Sequence, residues 1–188
     1  MSAETSFFSH PLLRVPLIAG AATGALAIAY LLVLYVMGVE SVLYVRSMRP
    51  LDFGFYLIAM GTTLWYYRKY INGGLLHLWE GLTICYVINV VAALLTGWFI
   101  YLFISFVDAD LFTRYIADLL KFQTSDKAAF VKQFSEEAFA AQIAKTKATQ
   151  PAELIWDELL KKSLMTVFPA LILSLIFRKQ DYSIMNPG

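Results

Sequence analysis

The sequence predicts an all-α membrane protein with four transmembrane helices and with amphipathic helices between the third and the fourth. The first observation behind this fold class is composition. Of the 188 residues, 59% are apolar and 15% are charged, whereas typical soluble domains are about 45–50% apolar and about 25% charged. The second observation is four long apolar stretches, and the third is a polar segment with helical periodicity between the last two.

These patterns divide the chain into four parts. Residues 1–14 form an N-terminal segment, and residues 15–107 hold the first three transmembrane helices. Residues 108–160 form a helical segment that lies outside the membrane or on its surface. Residues 161–188 complete the fourth transmembrane helix and the C-terminal tail.

The first two apolar stretches predict a helix pair. Residues 15–38 contain no charged side chain and exceed the roughly 20 residues that a helix needs to cross the hydrocarbon core. The second stretch, from about Leu51 to Tyr67, is shorter and ends at two basic residues. Asp52 lies at its start, where a carboxylate complements the helix dipole. The Asn72-Gly73-Gly74 turn signal that follows predicts an antiparallel hairpin with the third helix.

The third and fourth stretches differ in length. Residues 75–107 exceed one crossing, so we expect the first turns to lie at the interface and the remainder to span. Residues 163–177 are too few for a full crossing, but the apolar pattern extends back to Leu154. In this interpretation Lys161 and Lys162 reach the headgroups along their aliphatic stems and do not end the helix.

The polar segment between the last two spans carries too many charges to enter lipid. Its apolar residues nevertheless recur at helical spacing, which predicts an amphipathic helix with Leu111, Phe112, Tyr115, Ile116, Leu119 and Leu120 on one face. A second helix is predicted from about Ser125. Two interpretations remain open: these helices lie on the membrane surface or cap the bundle, or they form a docking surface for a partner protein.

Basic residues near the helix ends predict the orientation. With four spans, both termini lie on one side of the membrane, together with Arg14, Arg68, Lys69, Arg178 and Lys179. The opposite side has more basic residues in total, but most belong to the polar segment, which nears the length above which charge stops directing topology. The short-loop charges therefore favour termini in the cytoplasm.

Small residues at regular spacing predict the helix contacts, because helices in lipid associate through close packing. The first span contains Gly20-x-x-x-Gly24 followed by Ala27, and one face of the third span carries Gly81, Cys85, Asn89, Ala92 and Thr96. On that face Asn89 and Thr96 could hydrogen-bond to a neighbouring helix. The functional alternative is that Asn89 and Cys85 line a substrate path.

His77 and Glu80 form a possible polar or ion site. They lie three residues apart, so a helix places them on one face. Ionisable side chains inside a membrane are functional candidates, and this pair could relay a proton or coordinate a cation. The alternative is that both lie at headgroup level, beside the glycine turn, where water solvates them.

Several function classes are disfavoured. A formal net charge of +1 argues against a nucleic-acid binder, which needs an excess of positive charge. A single cysteine and two histidines make a Cys/His zinc site improbable. The sequence contains no phosphate-binding loop, dinucleotide-binding glycine pattern or haem-attachment motif, and its local sequence offers no nucleophile–base–orienter set. We therefore expect no enzymatic activity, no cofactor and no metal.

The chain resembles a family of small Bacteroidota membrane proteins known only as a domain of unknown function. The resemblance rests on the Gly/Ala-rich first span and on local patterns along most of the chain, namely Tyr66-Tyr67-Arg68-Lys69-Tyr70, Gly73-Gly74, Trp79-Glu80-Gly81, Val107-Asp108 and Phe177-Arg178-Lys179. Family members often carry a proline after the acidic residue that ends the third span, whereas Ala109 follows Asp108 here. The resemblance implies membrane insertion and brings no activity, catalytic residue or cofactor.

Two functions are therefore expected from the sequence. The leading one is a non-enzymatic accessory or structural subunit of a larger inner-membrane assembly, whose partners are the lipid bilayer and other membrane subunits. The alternative is a small transporter or lipid-carrier-handling protein that uses His77, Glu80 and Asn89. The family resemblance would place that alternative beside a polyprenyl-phosphate glycosyltransferase.

Overall fold

A computed structural model describes residues 10–38, 51–125 and 127–179. Residues 1–9, which belong to the predicted N-terminal segment, and residues 39–50, 126 and 180–188 lie outside the described residues. The described part is helical, with one π-helical turn, Tyr67–Ile71. Its α-helices are α1 (Pro11–Val36), α2 (Asp52–Tyr66), α3 (Leu78–Phe106), α4 (Ala109–Ser125), α5 (Lys127–Gln133), α6 (Glu136–Ala148) and α7 (Glu153–Phe177).

Three of the described helices are long and apolar enough to cross a membrane, namely α1, α3 and α7. The all-helical fold and the character of a membrane protein agree with the sequence prediction. The count of four does not follow from helix length, because α2 has 15 residues before it passes into the π-helical turn.

The long helix α3 lies at the centre of the bundle. Half of its most apolar stretch is buried, against 33% for α1 and 22% for α7. Gly24 of α1 lies against Leu95 of α3, and Gly20 lies one turn earlier against Val91, so these two helices run parallel. Because Gly81 at the start of α3 meets Ser174 at the end of α7, those two helices run antiparallel.

The turn between α2 and α3 forms where glycine was predicted to allow it. Gly73 and Gly74 have φ angles of +58° and +88°, which side chains with a Cβ rarely adopt. The chain then meets the end of α7, because the Leu76 N–H donates to the Lys179 carbonyl at 2.9 Å and the Lys179 N–H returns a bond of 3.0 Å. The hairpin and the C-terminal end of α7 are thus joined.

The polar segment packs on the other end of the bundle. Leu111 and Tyr115 of α4 share a buried cluster with the ends of α1 and α3. Asp108 begins α4, because its carboxylate accepts the Leu111 N–H at 3.1 Å and pairs with Arg114 at 2.8 Å. A side-chain acceptor here caps the helix start, so α4 begins at Ala109.

Candidate functional site

The buried face of α7 carries polar side chains at intervals of four and eight residues. Glu158, Lys162, Thr166 and Ser174 all lie on this face and are buried, with the buried Ala170 between the last two. Residues four apart on a helix stand one above the other, so these side chains form a line against α2 and α3 that only Ala170 interrupts. Together with the buried polar residues that face it, we call this line the polar seam; its members are Asp52, Tyr56, Asn89, Glu158, Lys162, Thr166 and Ser174.

The charged part of the polar seam is an ion pair between α2 and α7. The Lys162 ammonium donates directly to the Asp52 carboxylate, and only 6% of Lys162 and 3% of Asp52 is exposed. The same ammonium lies 4.7 Å from the centre of the Tyr56 ring. Glu158, one turn earlier on α7, is equally buried. Charges this deep are costly to bury unless they are paired. Here the carboxylate on α2 and the ammonium on α7 neutralise each other.

This pair corrects the prediction that both lysines reach the headgroups. Lys162 faces α2 and is covered by it, whereas Lys161 remains on the outer surface and pairs with Asp157 at 3.0 Å. Adjacent residues point about 100° apart around a helix, so one lysine faces the bundle interior while its neighbour faces outward. Asp52 likewise does more than complement a helix dipole, because it holds the buried ammonium.

The neutral part of the polar seam joins α3 to α7 by hydrogen bonds. Asn89 is fully buried; its Nδ2 donates to Ser163 Oγ at 3.2 Å, and its Oδ1 accepts from Thr166 Oγ1 at 2.9 Å. This is the cross-helix bonding that the sequence predicted for Asn89. Thr96 behaves differently, because its hydroxyl donates to the Ala92 carbonyl of its own helix at 2.9 Å.

The small residues of the first span lie at the contact between α1 and α3. A Cβ built on Gly20 would stand 2.9 Å from Val91 Cβ, and one on Gly24 would stand 3.1 Å from Leu95 Cβ. Ala27 continues the same face and is 1% exposed. The two glycines therefore allow an approach between helix backbones that larger residues would prevent.

The small residues of the third span lie mostly at the contact with α7. A Cβ on Gly81 would stand 2.9 Å from Ser174 Cβ, and Cys85, one turn further, is fully buried. The sequence interpretation missed Gly97, where a Cβ would stand 3.1 Å from the Ile155 Cα. Gly97 follows Gly81 by 16 residues, and this multiple of four is the signal that could have identified it.

The structure gives His77 and Glu80 different surroundings at the start of α3. Glu80 is buried; its carboxylate accepts the His77 backbone N–H at 2.8 Å and the Asn72 amide at 3.1 Å. The His77 side chain is exposed. Glu80 therefore caps the start of α3 and ties it to the turn, and among the described residues no three His, Cys, Asp or Glu side chains form a metal-binding group.

The residues that sequence reasoning missed are Asp52, Glu158 and Lys162. The available signal was their charge, since ionisable side chains within apolar helices are candidates by default. Their charge alone does not identify them as buried, because each of these residues lies near the end of a short apolar stretch. A charged side chain at such a position is also explained by contact with the headgroups.

Comparison with known proteins identifies the family to which the chain belongs. The sequence model of the family described as "Protein of unknown function (DUF4199)" matches residues 19–179, which include the polar seam and the glycines of the α1–α3 contact. No curated protein and no solved structure matches the chain.

Proposed function

The chain belongs to the DUF4199 family of proteins of unknown function, and from this premise we propose that it is a non-enzymatic accessory subunit of a larger assembly in the bacterial inner membrane. In this proposal the bundle holds itself together through the polar seam and the α1–α3 glycines. Its outer surface is then available to neighbouring membrane proteins.

The observation that carries the proposal is an ion pair on the outer face of α7. Asp157 and Lys161 are 49% and 47% exposed, and large apolar side chains such as Leu160 and Leu164 flank them. Ile155 contacts Gly97 beside Trp98, and Asp157 and Lys161 follow Ile155 by two and six residues, which places them about 3 and 9 Å further into the bundle. Lipid covers the apolar neighbours but offers an ion pair no polar partner, whereas a helix of a second protein offers both.

The proposal includes α2 as a fourth crossing. α2 and the π-helical turn together run from Asp52 to Ile71 without a break, and 20 helical residues approach the roughly 30 Å of the hydrocarbon core. α2 lies beside α7 at both ends, because Asp52 pairs with Lys162 and Arg68 donates to the Phe177 carbonyl at 3.2 Å. An even number of crossings brings both termini to one side, for which we propose the cytoplasm.

Native mass spectrometry after extraction in mild detergent tests the subunit proposal. We expect the chain to carry a stoichiometric companion protein, and we expect D157A/K161A to reduce that complex severalfold. The matched control is K127A/E136A, which removes an ion pair of 2.9 Å between α5 and α6 that is at least as exposed and should leave the complex intact. A lone chain, copies of this chain alone, or equal loss in both double variants would overturn the proposal.

A second candidate function, a small ion transporter, is favoured by the positions of the polar seam and of Glu80. Asp52 and Lys162 lie towards one end of the bundle, Glu80 lies at the other, and Asn89 with Thr166 lies between them. Glu80 and Asn89 are nine residues apart on α3, about 14 Å. Chains of ionisable and hydroxyl groups between helices are the elements from which membrane proteins build proton relays.

Proton flux into liposomes, followed with an internal pH-sensitive dye under a potassium diffusion potential, tests the transporter candidate. We expect wild-type protein to exceed empty liposomes and Glu80→Gln to fall to the background rate, because glutamine keeps the hydrogen bonds but cannot exchange a proton. His77→Gln is the control and should retain full flux, since its imidazole is exposed. Wild-type flux equal to that of empty liposomes, or an active Glu80→Gln variant, would exclude this role.

A further inference from the structure

One end of the bundle collects basic side chains from three separate segments. Arg14 lies in the first turn of α1, Arg68 and Lys69 lie in the π-helical turn, and Arg178 with Lys179 follows α7. We call these five residues the basic end. Among the described segments that meet here, the acidic side chain is Glu80, which is buried and bonded to the turn. The exposed charge of this surface is therefore positive.

The fold holds these segments together at several points. Arg68 donates to the Phe177 carbonyl at 3.2 Å, and its guanidinium lies 5.9 Å from the centre of the Phe177 ring. Paired backbone hydrogen bonds join Leu76 to Lys179. Leu12, two residues before Arg14, shares the buried cluster of Leu76. The convergence of positive charge is thus a product of the packing and does not rely on neighbouring positions in the sequence.

Aromatic side chains place the basic end at the level of lipid headgroups. Trp65, Tyr70 and Trp79 are exposed here, and the Lys69 ammonium lies 4.9 Å from the Trp65 ring and 5.0 Å from the Tyr70 ring. Tryptophan and tyrosine concentrate at both membrane interfaces. The exposed Trp98 follows Trp79 by 19 residues on α3, or about 28 Å, close to the thickness of the hydrocarbon core.

We propose that the basic end binds the phosphate of an anionic phospholipid in the leaflet that it faces; this rests on the membrane insertion proposed above. Arg68 donates one N–H to the Phe177 carbonyl. A guanidinium carries five N–H donors in a planar arrangement that matches phosphate oxygens, so donors remain for a lipid phosphate. Helix dipoles do not explain the whole set. They favour cations at helix C-termini, whereas Arg14 lies in the first turn of α1, where the dipole favours an anion.

The test measures lipid retention by native mass spectrometry from vesicles of phosphatidylglycerol and phosphatidylcholine mixed in equal parts. We expect wild-type protein to retain phosphatidylglycerol over phosphatidylcholine by about tenfold or more, as basic residues near an anionic surface attract such lipids. R68Q/K69Q should lose this preference. The control K145Q/K147Q removes the same amount of charge from α6, away from the basic end, and should keep the preference for phosphatidylglycerol.

Arg14→Gln provides a second variant, because Arg14 lies apart from the bonds that join the turn to α7. We expect a partial loss of preference with an unchanged melting temperature. Equal retention of the two lipids by wild-type protein, equal loss in both double variants, or displacement of the lipid by millimolar inorganic phosphate would overturn the proposal.

Failure of this proposal is distinguishable from failure of the function proposed above. Flotation with vesicles of pure phosphatidylcholine reports membrane insertion without an anionic lipid. The companion protein is detected separately, by its own mass in native mass spectrometry. A chain that floats and has a companion but shows no lipid preference would contradict the basic-end proposal alone.

Discussion

Replacing Lys162 with methionine is expected to lower the free energy of unfolding by about 3–5 kcal/mol, because the buried Asp52 carboxylate loses the ammonium that neutralises it. Methionine keeps most of the lysine volume, so packing against α2 changes little. The measurement is titration of the purified protein in detergent with sodium dodecyl sulfate, followed by the helical circular dichroism signal and by the fluorescence of its tryptophans.

Two companion variants separate charge burial from general damage. Lys161→Met removes the neighbouring lysine, which is 47% exposed, and should lower stability by much less than Lys162→Met, because its partner Asp157 lies on the outer surface and is not enclosed by neighbouring helices. The double variant D52N/K162M should recover most of the lost stability, because neither charge of the Asp52–Lys162 pair then remains. Equal destabilisation by Lys161→Met and Lys162→Met, or no recovery in the double variant, would show that the ion pair does not hold α2 to α7.

Leucine at Gly20 is expected to separate α1 from α3 and to lower the free energy of unfolding by about 3 kcal/mol. Even a Cβ at this position would stand 2.9 Å from Val91 Cβ and 3.0 Å from the Ile88 carbonyl oxygen. The backbone oxygen cannot move without the helix, so the larger side chain forces the two helices apart. Alanine at Gly20 should give a smaller loss of the same sign.

Gly61 of α2 supplies the matched control for this substitution. A Cβ on Gly61 would meet no atom within 4 Å, so leucine there adds only apolar surface on the outside of the bundle and a better helix former. We expect unchanged or slightly higher stability in the same detergent titration. If Gly20→Leu proved as harmless as Gly61→Leu, the close approach of α1 and α3 would not be a source of stability.

The fold class follows from local properties of the sequence. Long uncharged stretches need a helix to satisfy their backbone in lipid, and the residues at 72–74 can turn because glycine tolerates positive φ. The Gly20-x-x-x-Gly24 pattern lies where α1 meets α3. The helix boundaries moved by a few residues, and the count of crossings depends on α2, whose helical length sequence periodicity underestimates by the π-helical turn.

The candidate site was harder to predict from the sequence than the fold class, and Lys161 and Lys162 show why. They are identical in type and adjacent in the chain, so composition and hydropathy treat them alike. Only the rotation of α7 against α2 buries one of them, and its partner Asp52 lies 110 residues away. In the same way, the short spacing of His77 and Glu80 suggested a side-chain pair, but the start of α3 directs the carboxylate to the backbone and leaves the imidazole outside.

Sequence by itself determined that this chain forms apolar helices with a polar helical insert, because the cost of unsatisfied backbone groups in lipid is a local property of each stretch. Tertiary structure alone decided which charged side chains became buried partners and which basic residues converged at one end. Those outcomes depend on helix rotation and on contacts between residues far apart in the chain, where a shift of one residue turns a side chain by about 100°.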